Sequence, residues 1–190
     1  MLIATWAPEF LTQHPGVKLE LNITDRNVDI IREGYDLAVR MGTLPDTELI
    51  SRKLADLRWI LVASPAYLER RGRPATFEDL RSHACLRYLT SGRPWPFAFA
   101  SGESVIPDGP FDTDDSGSIR QAAVGSAGIA YQLRMTVTDL LAEGRLEEVL
   151  PQLAMPTLPA HVLHAFGRQL PLRARLFIDF MVAKLSGLDL

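Results

Sequence analysis

The sequence predicts an α/β fold, and three observations carry the prediction. Apolar runs of strand length recur along the chain. Stretches with apolar residues every three or four positions separate them, and turns bearing glycine or proline mark most joins. A helix–strand–helix–strand rhythm of this kind implies parallel strands linked by crossover helices. The 190 residues are 47% hydrophobic, enough for a sizeable core in one domain or two small lobes.

In chain order, residues 2–13 set Leu2, Ile3, Trp6 and Phe10 at helical spacing, and His14-Pro15-Gly16 stops that helix. Residues 17–23 alternate apolar with polar, the pattern of a half-buried strand. Thr24-Asp25 then offers an N-cap to a short helix carrying Val28, Ile30 and Ile31 and ending at Gly34. Residues 36–41 read as a buried strand leading into a loop at 42–46, and residues 50–64 as a long strand region. Pro65 begins a helix at a position where its missing N–H costs nothing. Thr76 caps a further helix start over 76–80, and the Gly-, Pro- and aromatic-rich stretch 85–111 reads as short strands and turns. Ser116 or Ser118 opens a helix through Val124, and residues 129–133 form a strand. Residues 137–150 read as an amphipathic helix interrupted near Gly144. Residues 159–166 make the last strand. A closing helix at 171–185 turns Leu172, Leu176, Phe177, Phe180 and Met181 inward.

Composition excludes several classes. Lys and Arg total 20 against 23 Asp and Glu, a net charge of -3, which argues against a free-standing nucleic-acid binder. The one cysteine, Cys85, rules out an internal disulfide and fits a reducing compartment, and its neighbours Ala84 and Leu86 mark it as a buried structural thiol. No apolar run reaches the ~18 residues of a membrane span. The apolar residues 1–7 lack a basic start and meet Pro8-Glu9 too soon for a signal peptide, so the expected compartment is the cytoplasm. Residues 112–117 fit the first half of a calcium loop, but Ala123 stands where its bidentate glutamate belongs. His161 and His164 point to opposite faces of a strand and share no metal. No cofactor, metal or catalytic group is expected.

The order of phrases resembles a family. Pro8-Glu9-Phe10-Leu11 with His14-Pro15-Gly16-Val17, the segment from Arg32 to Gly42 and the phrase Leu61-Val62-Ala63-Ser64-Pro65-Ala66-Tyr67-Leu68 are similar to LysR-type transcriptional regulators, in their effector-binding domain. Ala127-Gly128-Ile129-Ala130, residues 141–146 and residues 175–180 complete the series. The resemblance implies two Rossmann-like lobes with a central cleft, as in periplasmic binding proteins of type 2. Residues 1–63 with 161–190 would form lobe I, and 64–160 lobe II. It also implies a small organic effector as ligand, a homodimer, and DNA contact only through an N-terminal winged helix-turn-helix that these 190 residues lack. The family's first strand is likewise not among them, and its loss would leave backbone groups of lobe I unpaired.

Ligands of open α/β sheets bind beyond the carboxyl ends of strands. Thr24 follows strand 17–23 and either caps a helix or faces the effector. Arg40, in an otherwise apolar strand, needs a partner. It has either an ion pair with Asp36 or Asp46, or a carboxylate effector held by its planar fork. Asp114, Asp115 and Ser116 precede a helix and either cap it or bind a ligand hydroxyl or amine. The resemblance places an Asn where Asp114 stands, which weighs against a strongly anionic ligand. Gln132, polar in an apolar strand, matches a further cleft-lining position. The reading is therefore an effector-sensing domain. An enzyme or a solute receptor on the same scaffold is the alternative: the first would need a nucleophile or acid–base pair that the sequence does not offer, the second a signal peptide.

Overall fold

The structure is a computed structural model that describes residues 2–24, 26, 28–44, 47–167 and 169–188. The elements are α1 (Leu2–Gln13), β1 (Ala38–Met41), β2 (Ile50–Ala63), α2 (Pro65–Arg71), β3 (Cys85–Thr90), β4 (Arg93–Pro94), β5 (Phe97–Ala98), β6 (Ser104–Val105), β7 (Phe111–Thr113), α3 (Ser116–Val124), β8 (Ile129–Leu133), α4 (Thr138–Ala142), β9 (Glu147–Val149), β10 (Thr157–His164) and α5 (Leu172–Ser186). Two compact units result, one of Met1–Leu57 with Leu158–Leu190, the other of Arg58–Thr157. The α/β class holds. Among the described residues no helix is long and apolar enough to cross a membrane.

The second unit shows how period two builds a core. β2 pairs antiparallel with β8 and β9, while β3 lies parallel to both β7 and β8. Helix α3 joins β7 to β8 and is the crossover the rhythm predicts. Leu61, Ala63, Ile129, Tyr131 and Cys85 project to one face, among Tyr67, Leu68, Leu80 and Phe97. Their neighbours Ile60, Val62, Ala130 and Leu86 project to the other, against Ile119 and Ala123 of α3 and Leu140 of α4. A strand buried on both faces has to be apolar throughout, and residues 60–63 and 129–131 are. Trp59 stacks on Tyr131 at 4.6 Å between ring centroids. Two glycines permit close backbone approach at the start of β3. A Cβ on Gly109 would fall 1.8 Å from the Cys85 carbonyl oxygen, and one on Gly128 2.4 Å from that of Ala84.

In the first unit β10 lies between β1 and β2. β1 and β10 run antiparallel, with Arg40 opposite His161, so the sheets are mixed rather than all parallel. These two strands come from opposite ends of the chain, and no crossover helix between consecutive strands sets their direction. Phe10 is fully buried and meets Phe177 and Phe180 of α5 at 5.1 and 5.2 Å. Ala174, Ile178, Phe180, Met181 and Leu185 form the inner face of α5. Leu172, expected on that face, is 59% exposed because it is the first helical residue.

Other expectations are corrected. Residues 17–24 carry the alternating pattern but join no ladder, and Leu21 and Ile23 lie exposed. Alternation prepares a strand, yet a ladder also needs a neighbour's free N–H and C=O groups. The helix expected before Gly34 is a single turn: Glu33 N–H donates to the Asp29 carbonyl, and the Asp29 carboxylate accepts from the amides of Ile31 and Arg32. Asp29 is the cap there; Thr24 is not, and Asp25 lies outside the described residues. Thr76 caps nothing either. The Asp79 carboxylate reaches back to the amides of Ala75 and Thr76, and the segment Glu78–Ser82 is a 3-10 turn. Downstream of Gly144, whose φ is +68°, the chain is not helical but forms β9. Val149 is buried on this strand beside β2, and Leu146 is buried just ahead of it.

Candidate functional site

The six candidate residues divide between the units. In the first, Thr24 is exposed and its hydroxyl oxygen accepts from the Arg26 amide at 3.3 Å. This is a local turn that leaves the hydroxyl hydrogen at the surface. Arg40 is half-buried in β1, and its guanidinium donates to the Val28 carbonyl at 3.0 Å. Asp36 is not its partner. Both Asp36 oxygens are held by Arg173, at 2.9 and 2.7 Å, which keeps that carboxyl below the usual range. Asp46 lies outside the described residues. Directly across the ladder from Arg40 stands His161, whose Nδ1 is buried without a hydrogen bond. Opposed residues of an antiparallel pair share a face. Sequence reasoning missed this neighbour because only the register brings the two residues together.

In the second unit, Asp115 is the N-cap of α3. Its carboxylate accepts from the amides of Gly117 and Ser118, at 3.2 and 2.8 Å, and from the Ser118 hydroxyl at 2.7 Å. The Ser118 hydroxyl, then its amide, hold this carboxyl below the usual range. Those first-turn donors are therefore occupied, and the helix end does not offer them to an anion. Asp114 and Ser116 flank the cap, exposed. Asp112 is engaged by Arg87 at 2.6 Å, so the calcium-like run is built from an ion pair and a cap. Gln132 is 3% exposed, and its amide oxygen lies 3.3 Å from the Thr136 hydroxyl, which also reaches the Leu133 carbonyl at 2.7 Å.

Two surface hollows lie apart from these residues. One of about 320 Å³, in the first unit, is walled by Val28, Ile30, Thr47, Glu48 and Leu49, and the Arg40 guanidinium donates to the carbonyl of its wall residue Val28. The other, of about 210 Å³ in the second unit, lies beside Phe77, Phe99, Glu103 and Leu153.

Among the described residues, neither Cys85 nor Ser64 is set up as a nucleophile. Burial pushes the Cys85 thiol up to about 12. The Ser64 hydroxyl, next to the phrase that opens α2, donates to the Ser126 hydroxyl at 2.8 Å rather than to a base.

The profile of the family described as LysR substrate binding domain matches residues 1–186. The chain belongs to this family. Its relatives are regulators by name. The HTH-type transcriptional regulator YhjC of Escherichia coli K12 is 36% identical over 178 residues, spanning 91% of this chain and 60% of that protein. CrgA of Neisseria meningitidis is 30% identical over 189 residues, spanning 98% and 63%. The chain thus covers about three fifths of the length of these relatives. Against the solved regulatory domain of CrgA alone it covers 97% of its own length and 92% of that chain, at 29% identity and a TM-score of 0.85. Full-length AphB of Vibrio cholerae matches at 27% identity and a TM-score of 0.80, over 96% of this chain and 63% of that one. This LysR domain therefore corresponds to the regulatory portion of such proteins.

Proposed function

We propose that this LysR domain senses a small organic effector for a transcriptional regulator and acts by binding, not catalysis. The observation that carries the reading is the coverage of nearly the whole CrgA regulatory domain by nearly the whole chain. Thr24 and Arg40 on the first unit, and Asp114, Asp115, Ser116 and Gln132 on the second, are the proposed contacts, the units corresponding to lobes I and II of the family's scheme. Because Asp115 fills the α3 terminus, the second unit suits a ligand hydroxyl or ammonium, while the Arg40 guanidinium suits a carboxylate. A compound carrying both, such as a hydroxy acid or an amino acid, is the proposed effector class. The full regulator works as a cytoplasmic homodimer and touches DNA through its winged helix-turn-helix. An effector that favours one conformation of the sensing domain shifts the DNA-bound geometry by its differential affinity.

A thermal-shift screen against organic acids, amino acids and aromatic carboxylates, repeated with Arg40→Ala, tests this. A compound that raises the melting temperature of the wild type and not of the variant supports the reading. An equal rise in both removes Arg40 from the site, and no shift across all three classes overturns the proposed effector chemistry.

A further inference from the structure

The smaller hollow, of about 210 Å³ in the second unit, is lined by none of the effector contacts proposed above. Three segments build it. The first is the hairpin of β5 and β6, in which Phe97 pairs with Val105 and Ala98 with Ser104. Its turn is closed by the Phe99 amide on the Glu103 carbonyl, at 2.9 Å, and by the Gly102 amide on the Phe99 carbonyl, at 3.0 Å. The second is the stretch 150–155 after β9, held to the hairpin by the Ala100 amide on the Ala154 carbonyl at 2.8 Å. The third is Phe77, at the start of the 3-10 turn.

The walls divide by chemistry. Phe77 and Phe99, with ring centroids 5.7 Å apart and planes inclined at 49°, join Leu153 in an apolar side that continues into the core of the unit. Ser101, Glu103 and Gln152 form a polar side, and all three are exposed. The donors of that side are engaged. The Ser101 hydroxyl donates to Glu103 Oε2 at 2.8 Å, and the Gln152 amide nitrogen to the Ala75 carbonyl at 3.0 Å. What remains for a ligand is a set of acceptors, the Glu103 carboxylate and the Gln152 amide oxygen. Among the described residues no Lys or Arg lines the hollow or pairs with Glu103, whereas Asp112, Asp139, Glu147 and Glu148 of the same unit each hold an arginine.

Charge and shape together select one ligand class. The tilted rings accept a third ring by edge or offset contact. A carboxylate without a resident cation, beside an amide oxygen, suits an ammonium and repels a second carboxylate. A volume below the roughly 300 Å³ at which sites for drug-sized ligands begin admits one ring on a short chain. We propose that this hollow binds a primary arylalkylamine, with the ring against Phe77 and Phe99 and the ammonium on Glu103. The site is separate from the effector contacts and stands whether or not those hold the effector. Its occupant bridges the hairpin and the stretch 150–155, so binding braces the bond between Ala100 and Ala154.

Phenethylamine is the probe, with phenethyl alcohol and hydrocinnamate as its neutral and anionic counterparts. Amide correlation spectra of the 190-residue chain at neutral pH should show saturable shifts at Ser101, Glu103, Leu153 and Ala154. Amine in the millimolar range should be needed, the strength expected of a small open site. The alcohol should bind about fivefold more weakly, the yield of one exposed ion pair, and the anion not at all. Glu103→Gln should bring the amine down to the affinity of the alcohol. Exchange of the Ala100 amide should slow as the amine is added. Equal binding of amine and alcohol, an unchanged affinity in Glu103→Gln, shifts centred on residues 114–116 instead of the hollow, or no saturable shift each overturns the proposal. The comparison of amine with alcohol uses the wild type alone, so it decides the matter even where the variant does not fold.

Discussion

In the second unit the sheet is covered on both faces, and two apolar clusters account for its strands. In the first unit, an alternating segment at 17–24 runs without a ladder, and Leu21, Ile23, Ile31, Met41 and Ile50 stand exposed. Hydrophobic content is not what separates them. In the second unit each apolar strand residue finds a neighbour at ladder distance and a layer above or below it, while in the first the segment has the pattern and lacks the partner. A period of two selects which side chains will share a face; it does not supply the strand alongside.

The comparison can be broken at several points. The largest expected effect is chemical. With its thiol pushed from 9.0 up to about 12 by burial, Cys85 carries on the order of a thousandfold less thiolate than a free cysteine near neutral pH. Alkylation should be slow in the folded chain and ordinary in urea. Reaction at the ordinary rate without denaturant would show that the second unit opens far more readily than its packing implies. Next comes Gly109→Ala, whose methyl would overlap the Cys85 carbonyl at 1.8 Å, with Gly128→Ala somewhat milder at 2.4 Å. Chemical denaturation should show a loss of at least about 3 kcal/mol for the first. Leu61→Ala, at a fully buried position, should cost about 3 kcal/mol, and a value under about 1 would mean that the site collapses around the cavity.

Smaller effects sharpen the contrast. Asp115→Ala removes the cap of α3 and should cost about 1 kcal/mol at neutral pH. Because the folded carboxyl lies below its unfolded range, that contribution is present above about pH 4 and lost as pH falls through the folded value. The variant should therefore lose less stability on acidification than the wild type. Smallest is Ile23→Ala, at a residue 64% exposed, expected within about 0.5 kcal/mol. A loss like that of Leu61→Ala would show that segment 17–24 is covered in solution.

How much was legible in the sequence follows from the same contrast. Residues 129–131 and 60–63 are legible because an uninterrupted apolar run suits a strand segment buried on both faces. Helix α5 was equally plain, apart from Leu172, where periodicity ran one residue past the packed face. The helical pattern of residues 137–150 stops short in the structure, because the left-handed Gly144 ends α4 and β2 offers a ladder edge to residues 147–149. Caps were half legible. Asp115 and Ser64 stand where a helix begins, whereas Asp79 caps from inside its own turn, beyond the reach of a rule that looks before the first helical residue. Of the candidate site, residue types on strands and caps were readable. The Arg40–His161 pairing and the contact of Thr136 with Gln132 were not, since one depends on register and the other on a turn after a strand.

Leu150 closes the strand β9 with φ at +54°, a left-handed conformation that a branched side chain seldom adopts, and it is nonetheless 3% exposed within a core cluster. The position is boxed in for any engineer. Glycine would relax the backbone and empty the core, asparagine would fit the turn and bury an amide, and a bulkier apolar residue would keep the strain while crowding its neighbours. Raising the thermal tolerance of this domain therefore starts elsewhere, at exposed sites such as Ile23 and Ile31, where a polar replacement disturbs no packing.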